Sequence, residues 1–380
     1  MQHRGIFFHH TRDVVDGMPE LLFSFPLRML IAARQGDKVV LPIGVEPLEL
    51  ELLNRLGFGP RPEDVVYVDG NLTSADLHGK VFPFSGCSVQ QRQMVELAGL
   101  DFAAPSLEIC RQADSKAFFQ SVLHDLRLRP FGRIVVTGDR ERMKEVVKEM
   151  LSRHGSLLLK AAHSTSGLQQ HLIMSLADLP EDLALKGKAV VQEFIPHVVS
   201  PSAQYYLKPG GNWKLNSMTT QILDGRHHVG NIFPPTDLSP EVIAEIEKIG
   251  SRIVPRYAEL GYYGPLSVDF MLTENNRLFP CEVNARVTAP WYPWEAARRN
   301  LGAPVPFWMK SLRINPKTTI AKMEKVLGKL LFNPKTKKGA LPFSFLPKQN
   351  FTYLVIYGSN QNEFVNRLVP QVQWALAKLG

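Results

Sequence analysis

Short apolar runs alternate with amphipathic stretches along the first hundred residues. Residues 38–43, 65–68 and 81–84 read as strands, and 47–56 and 88–100 as helices, so a small α/β layer is expected over residues 1–105. The pattern continues with a helix opening near Asp114 or Ser115, a strand at 134–137, a helix at 139–152 and a strand at 157–160. From 188 to 231 it changes to strand-like runs punctuated by Pro196, Pro209, Gly210, Gly211 and Gly225, which predicts antiparallel sheet. Ser239, Pro240 and Glu241 mark a helix start, because serine can cap free N–H groups and proline lacks the donor that would be left over. Residues 351–357 (FTYLVIY) predict a strand. The helix expected after it carries Val365, Leu368, Val369, Val372 and Leu376 on one face.

The densest chemistry lies in GYYGPLSVDFMLTENNRLFPCEVNAR, residues 261–286. Two apolar runs flank Asn275 and Asn276, residue types that tolerate the left-handed backbone of a tight hairpin turn. With the turn centred between them, Asp269 falls opposite Glu282, and Asn284 shares the face of Glu282. Val268, Phe270, Cys281 and Val283 are then expected to point into a core. Carboxylates opposed at roughly 5 Å repel each other unless a cation or proton lies between them. Three oxygen donors on one rigid face suit Mg²⁺, which is usually held by one or two carboxylates together with substrate phosphates. The opposing reading makes Asp269 and Glu282 ordinary surface acids.

Composition narrows the class. With 380 residues and 44% hydrophobic content, two or three folded domains are expected. No apolar run is long enough for a membrane span, and the N-terminal residues lack a secretory pattern, so a cytoplasmic protein is expected. Cys87, Cys110 and Cys281 form no CxxC pair, which argues against a disulfide framework or a zinc site. No GxGxxG occurs, so a dinucleotide site is not indicated. The net charge of +8 is local: residues 301–350 carry ten Lys or Arg against the single acid Glu324, leaving the rest near neutrality. A run of this kind is usually a solvated face.

The acid on a first strand, with Glu-x-Asn and then Arg on the next, resembles the metal site of the ATP-grasp carboxylate-amine ligases. Upstream, Lys116 in ADSKAFF resembles the first phosphate-contacting lysine of that superfamily. Lys160 in LLLKAAHSTSG resembles the second, with Ser164, Thr165, Ser166 and Gly167 as the phosphate-covering loop. VVQEFIP resembles the hinge that meets adenine, through Gln192, Glu193, Phe194 and Ile195. The resemblance spans about residues 105–300. It implies an ATP-grasp α/β (α+β) fold: an N-terminal pre-ATP-grasp α/β domain (1–105), an ATP-grasp domain of two subdomains (106–300) with its hinge near 190–196, and a basic linker with a C-terminal βα domain (301–380). More narrowly, TTQILDGRHHVGNIFPP at 219–235, EVNAR followed by Trp291, and the C-terminal tail are similar to peptide ligases related to pheganomycin biosynthesis.

The implied reaction consumes ATP with two Mg²⁺ on Asp269, Glu282 and Asn284. A carboxylate, from an amino acid or peptide, becomes an acyl phosphate and is coupled to an amine. Many amino-acid ligases of the superfamily place an arginine two residues before the first metal acid, where this chain has Ser267, so Arg286 is expected to take the catalytic charge. Arg226, His228 and Asn231 are candidates for the substrate pocket, as are Trp291, Tyr292 and Trp294, although such aromatics are as often core. Two other classes compete: a non-catalytic ATP-binding scaffold, and a nucleic-acid-associated protein resting on the 301–350 charge, which ranks last because it lacks interleaved aromatics. A homodimer is left open.

Overall fold

The computed structural model describes residues 5–9, 19–69, 72, 77–83, 85–136, 138–162, 170–180, 187–225, 227–359 and 364–377. The chain divides into two compact units, one formed by residues 1–107, 229–236 and 287–380, the other by 108–228 and 237–286.

The first unit opens with β1 (Ile6–Phe8), α1 (Pro19–Ala32), β2 (Lys38–Pro42), α2 (Leu50–Arg55), β3 (Val65–Val68), β4 (Lys80–Phe82), α3 (Val89–Leu97) and β5 (Asp101–Phe102). The chain then passes through α4 (Leu107–Ala113) into the second unit. There follow α5 (Lys116–Asp125), β6 (Gly132–Val136), α6 (Arg140–His154), β7 (Leu157–Ala161), β8 (Gln170–Ile173), β9 (Lys188–Glu193), β10 (Pro201–Leu207) and β11 (Trp213–Asp224). It crosses back within β12 (His227–Phe233). The second unit is completed by α7 (Pro240–Glu259), β13 (Gly264–Leu272) and β14 (Leu278–Asn284), and the first by α8 (Trp291–Asn300), β15 (Phe307–Arg313), α9 (Ile320–Leu327), β16 (Gly339–Leu346), β17 (Phe351–Tyr357) and α10 (Val369–Leu376).

In the first unit, β1 to β5 form a parallel sheet in the order β3-β2-β1-β4-β5. One apolar core joins this layer to the C-terminal elements: Leu27, Met29 and Leu30 of α1 share it with Tyr292 of α8, Phe343 of β16 and Tyr357 of β17. The residues expected as separate terminal domains therefore fall in one unit. The stretch 301–350, expected as a basic linker, holds β15, α9 and β16, and β17 pairs antiparallel with both β15 and β16. Every residue of β16 is buried, but Pro342 and Ser344 interrupt its apolar run, so no alternating pattern marked it as a strand. Trp294 and Tyr292 are core residues here, with Tyr292 Oη 3.2 Å from His9 Nδ1.

The second unit has two antiparallel sheets. One, in the order β6-β9-β7-β8, buries Val135, Leu157, Leu159, Ile173, Ala189 and Val191 against Met143, Val146, Val147 and Met150 of α6. In the other, β13 pairs with both β14 and β10, and β10 with β11. α7 packs on it through Ile246, Ile249, Ile253, Val254 and Tyr257, an i, i+3, i+4 stripe. Ser239 Oγ caps this helix by accepting from Val242 N, as its sequence predicts. Gly250 must stay side-chain-free, because a Cβ there would stand 1.9 Å from Tyr205 Oη.

Candidate active site

Asp269 pairs with Glu282 across β13 and β14, and Val268 with Val283. The expected opposition holds, although the turn differs from the expected one. Thr273 N donates to Arg277 O at 3.0 Å, so the turn carries three residues, Glu274, Asn275 and Asn276, with Asn276 at φ 54°. That shifts the register by one residue, since Phe270 pairs with Pro280. A bulge at Cys281 then restores the pairing that sets Asp269 against Glu282.

The bulge also corrects the placement of Cys281. Cys281 is half-buried and lies in the field of Lys160, Asp269 and Glu282, whereas Val268, Phe270 and Val283 are core residues. Burial and the two carboxylates push the thiol pKa up, and Lys160 opposes them only in part.

Around the acids, every charge has a protein partner. Lys116, the first residue of α5, places Nζ 3.1 Å from Glu282 Oε1. Lys160 on β7 is buried and donates to Cys281 O at 3.4 Å. Burial lowers the Lys160 pKa, with Lys116 adding to the effect and Glu282 opposing it. Burial alone would raise the Glu282 carboxyl, but the charges of Lys116 and Lys160 outweigh it and hold the group below the usual carboxylate range. Asp269 goes the other way. Burial first and the neighbouring Glu282 second raise it to about 6, against hydrogen bonds from Ser202 and Gln221 and the charge of Arg286.

Asn284 Nδ2 donates to Asp269 Oδ2 at 3.0 Å, and Arg286 Nη2 donates to Asn284 Oδ1 at 2.5 Å. Arg286 Nε lies 3.7 Å from Asp114 Oδ1, which also accepts from Ala285 N at 3.2 Å. The segment 114–116 thus joins two strand ends, since Lys116 N donates to Ala162 O at the exit of β7. Asp114, Ser202 and Gln221 were not singled out from sequence. Ser202 and Gln204 alternate along β10, but only the register of β10 on β13 brings Ser202 opposite Asp269.

The hinge candidates separate by strand alternation. Gln192 shares the face of Val190, the cross-strand partner of Lys160, and donates to Gln120 Oε1 at 3.1 Å. Glu193 points the other way. Its carboxylate accepts from Arg129 at 2.9 and 2.5 Å and from Phe131 N at 2.8 Å, with His154 Nδ1 at 3.3 Å. Burial would raise this carboxyl, but those bonds and the Arg129 charge hold it low. Its side chain is therefore engaged on the face opposite Lys160. Glu193 N and Phe194 N donate to Phe131 O and Ser156 O, and Ile195 is buried.

Ser164, Thr165, Ser166, Gly167 and Arg226 lie outside the described residues. His228 belongs to the second unit and is half-buried. Asn231 belongs to the first and is buried, on β12 opposite Met309 of β15.

The donor set tests the fit of Mg²⁺. Asp269, Glu282 and Asn284 offer only oxygen ligands, and two of them are like charges facing each other, an arrangement that a cation relieves. Among the described residues no group of three or more His, Cys, Asp or Glu side chains could hold a metal ion; two carboxylates and an amide are a donor set that suits an ion shared with phosphates.

No protein-family model and no curated protein matches the chain. Solved structures match its fold. Carboxyaminoimidazole ribonucleotide synthase from Aspergillus clavatus, complexed with ATP, is similar with TM-score 0.62 at 12% identity over 99% of both chains. N5-carboxyaminoimidazole ribonucleotide synthetase from Thermus thermophilus gives 0.61 at 14% identity over 98% of both. Biotin carboxylase from Campylobacter jejuni gives 0.63 at 12% identity over 99% of this chain and 91% of the other. The chain has the mixed α/β ATP-grasp fold. No described helix is long and apolar enough to cross a membrane.

Proposed function

We propose that the protein is an ATP-dependent carboxylate-amine ligase that couples an amino acid or peptide carboxylate to an amine, in the manner of the peptide ligases related to pheganomycin biosynthesis. The observation that carries this reading is the convergence of Lys116 from α5 and Lys160 from β7 on the Glu282 side of the β13–β14 hairpin. Two buried cations beside two acids and an amide form a site suited to a polyphosphate with its counter-ion. The similarity to structures solved with ATP supports the same ligand here.

In this reading Asp269, Glu282 and Asn284 would hold Mg²⁺, which when bound supplies charge neutralisation on the phosphate oxygens. Lys116 and Lys160 neutralise the β- and γ-phosphoryl groups. A substrate carboxylate oxygen attacks the γ-phosphorus and ADP leaves; an amine nitrogen then attacks the acyl carbon, phosphate leaves, and the amine sheds its proton. Arg286, beside Asn284, stabilises the negative charge that develops on the transferring group. Positioning and preorganised charge do the catalysis, so Cys281 is not required as a nucleophile.

The test is a screen of amino acids and short peptides, measuring phosphate release from ATP and the masses of products. A ligase releases phosphate only with a carboxylate and an acceptor together and yields a condensed product. ATP binding without any such product would replace this reading with the scaffold.

A further inference from the structure

Four strands of the second unit place one row of residues side by side: Thr219 on β11 pairs with Ser202 on β10, Ser202 with Asp269 on β13, and Asp269 with Glu282 on β14. Ser202 is 2% exposed. Its Oγ lies 2.5 Å from Asp269 Oδ1 and 2.7 Å from Gln204 Nε2, which is also buried. A serine hydroxyl has one proton, and an amide nitrogen can only donate. Gln204 therefore occupies an acceptor position on Ser202, and the hydroxyl proton is committed to Asp269. The other oxygen, Oδ2, accepts from Asn284 Nδ2 at 3.0 Å, and Gln221 supplies a further hydrogen bond. Both carboxylate oxygens are thus held from the strand side, and of the four acceptor directions of a carboxylate these three bonds leave one for a ligand.

We propose that Ser202, itself held by Gln204, is a positioning residue that aims the Asp269 carboxylate for the metal. This rests on the metal-site reading above and extends it to a residue that acts through the Asp269 carboxylate. The chemistry is that of outer-shell partners, which orient a ligating carboxylate and whose loss typically lowers metal affinity 10- to 100-fold. A hydroxyl placed only to satisfy a buried acid would stabilise the fold and leave metal affinity alone. The two roles therefore separate by measurement.

The experiment compares binding of ATP in EDTA with binding of ATP in Mn²⁺ by calorimetry, using full-length wild type, Ser202→Ala and Ser202→Thr, with thermal unfolding in EDTA alongside. The ratio of the two affinities reports the metal contribution and cancels any general loss of folded protein. Wild type should bind more tightly with Mn²⁺. Ser202→Ala should lose about 10- to 100-fold of that tightening with its EDTA affinity unchanged, and Ser202→Thr, which keeps the hydroxyl, should recover most of it. Gln204→Met, which frees the hydroxyl to rotate, should lose less than Ser202→Ala and keeps the test alive if that variant does not fold. Retention of the wild-type ratio in Ser202→Ala, or in Gln204→Met where Ser202→Ala does not fold, overturns the proposal. A wild type whose ATP affinity ignores Mn²⁺ overturns the metal reading itself, and the proposal with it.

Discussion

The hairpin of β13 and β14 and the stretch 301–350 are both rich in ionisable residues, and the structure treats them in opposite ways. Around the facing acids of the hairpin the charges are buried or half-buried and within reach of one another: Lys116 with Glu282, Arg286 near Asp114, and Asp269 beneath Ser202 and Asn284. In 301–350 the charges are many, and Arg313, Lys317, Lys322, Lys325, Lys329, Lys335 and Lys337 are exposed. The one acid there, Glu324, already pairs with Arg55 at 2.6 Å. Charge number alone does not decide how each region is used. Desolvation does, because a buried charge needs a partner and can exchange that partner for a ligand, whereas an exposed lysine is already satisfied by water.

The sharpest break of this contrast is Glu282→Gln, which removes a buried acid and leaves Lys116 without its carboxylate. Metal-dependent nucleotide binding should weaken by at least about 100-fold and turnover should vanish, as read by calorimetry and phosphate release. Arg286→Ala should still bind ATP but lose roughly 10² to 10³ in turnover, the usual loss for one preorganised electrostatic group. Equal turnover in wild type and Arg286→Ala would remove Arg286 from the chemistry.

Lys116→Met tests whether the ion pair is exchangeable. Freed of the lysine, Glu282 should bind Mn²⁺ alone about tenfold more tightly, the equivalent of about 1.4 kcal/mol, while ATP binds more weakly. Loss of both affinities would mean that Lys116 merely supports the fold at this point. The opposite signs are what a partner exchange requires.

Glu49 in the first unit is a third case, a buried acid with no cationic partner among the described residues. Burial raises its carboxyl to about 7, against hydrogen bonds from backbone N–H groups that include Phe345 N. A raised folded-state value means that the stability contributed by protonated Glu49 is complete below the ordinary range near 4.5 and is lost as pH rises through about 7. Glu49→Gln should therefore raise the unfolding temperature at pH 8, by up to about 3 kcal/mol in stability, and change it little at pH 4.5. Equal effects at both pH values would exclude titration as the cause. The smallest effect belongs to the exposed stretch: Lys322→Glu with Lys325→Glu should move stability by about 0.5 kcal/mol or less and leave ATP affinity unchanged in calorimetry.

Much of the local structure was legible in sequence. Strand Phe351–Tyr357, the capped start of α7 and the pairing of Asp269 with Glu282 all follow from periodicity and from residue types whose preferences act over a few residues. The pairing came out right although the turn has three residues, because the bulge at Cys281 cancels the offset. Period-2 alternation could not foresee that bulge, and so misplaced Cys281. Composition and local pattern also pointed to a mixed α/β chain and to solvated lysines in its basic stretch, most of which are exposed. Tertiary structure alone decided that Ser202 meets Asp269, that Glu193 turns to Arg129, and that both ends of the chain share one core. Each depends on how elements far apart in sequence pair or pack, and strand register and core packing are settled by the summed burial and hydrogen bonding of many residues at once.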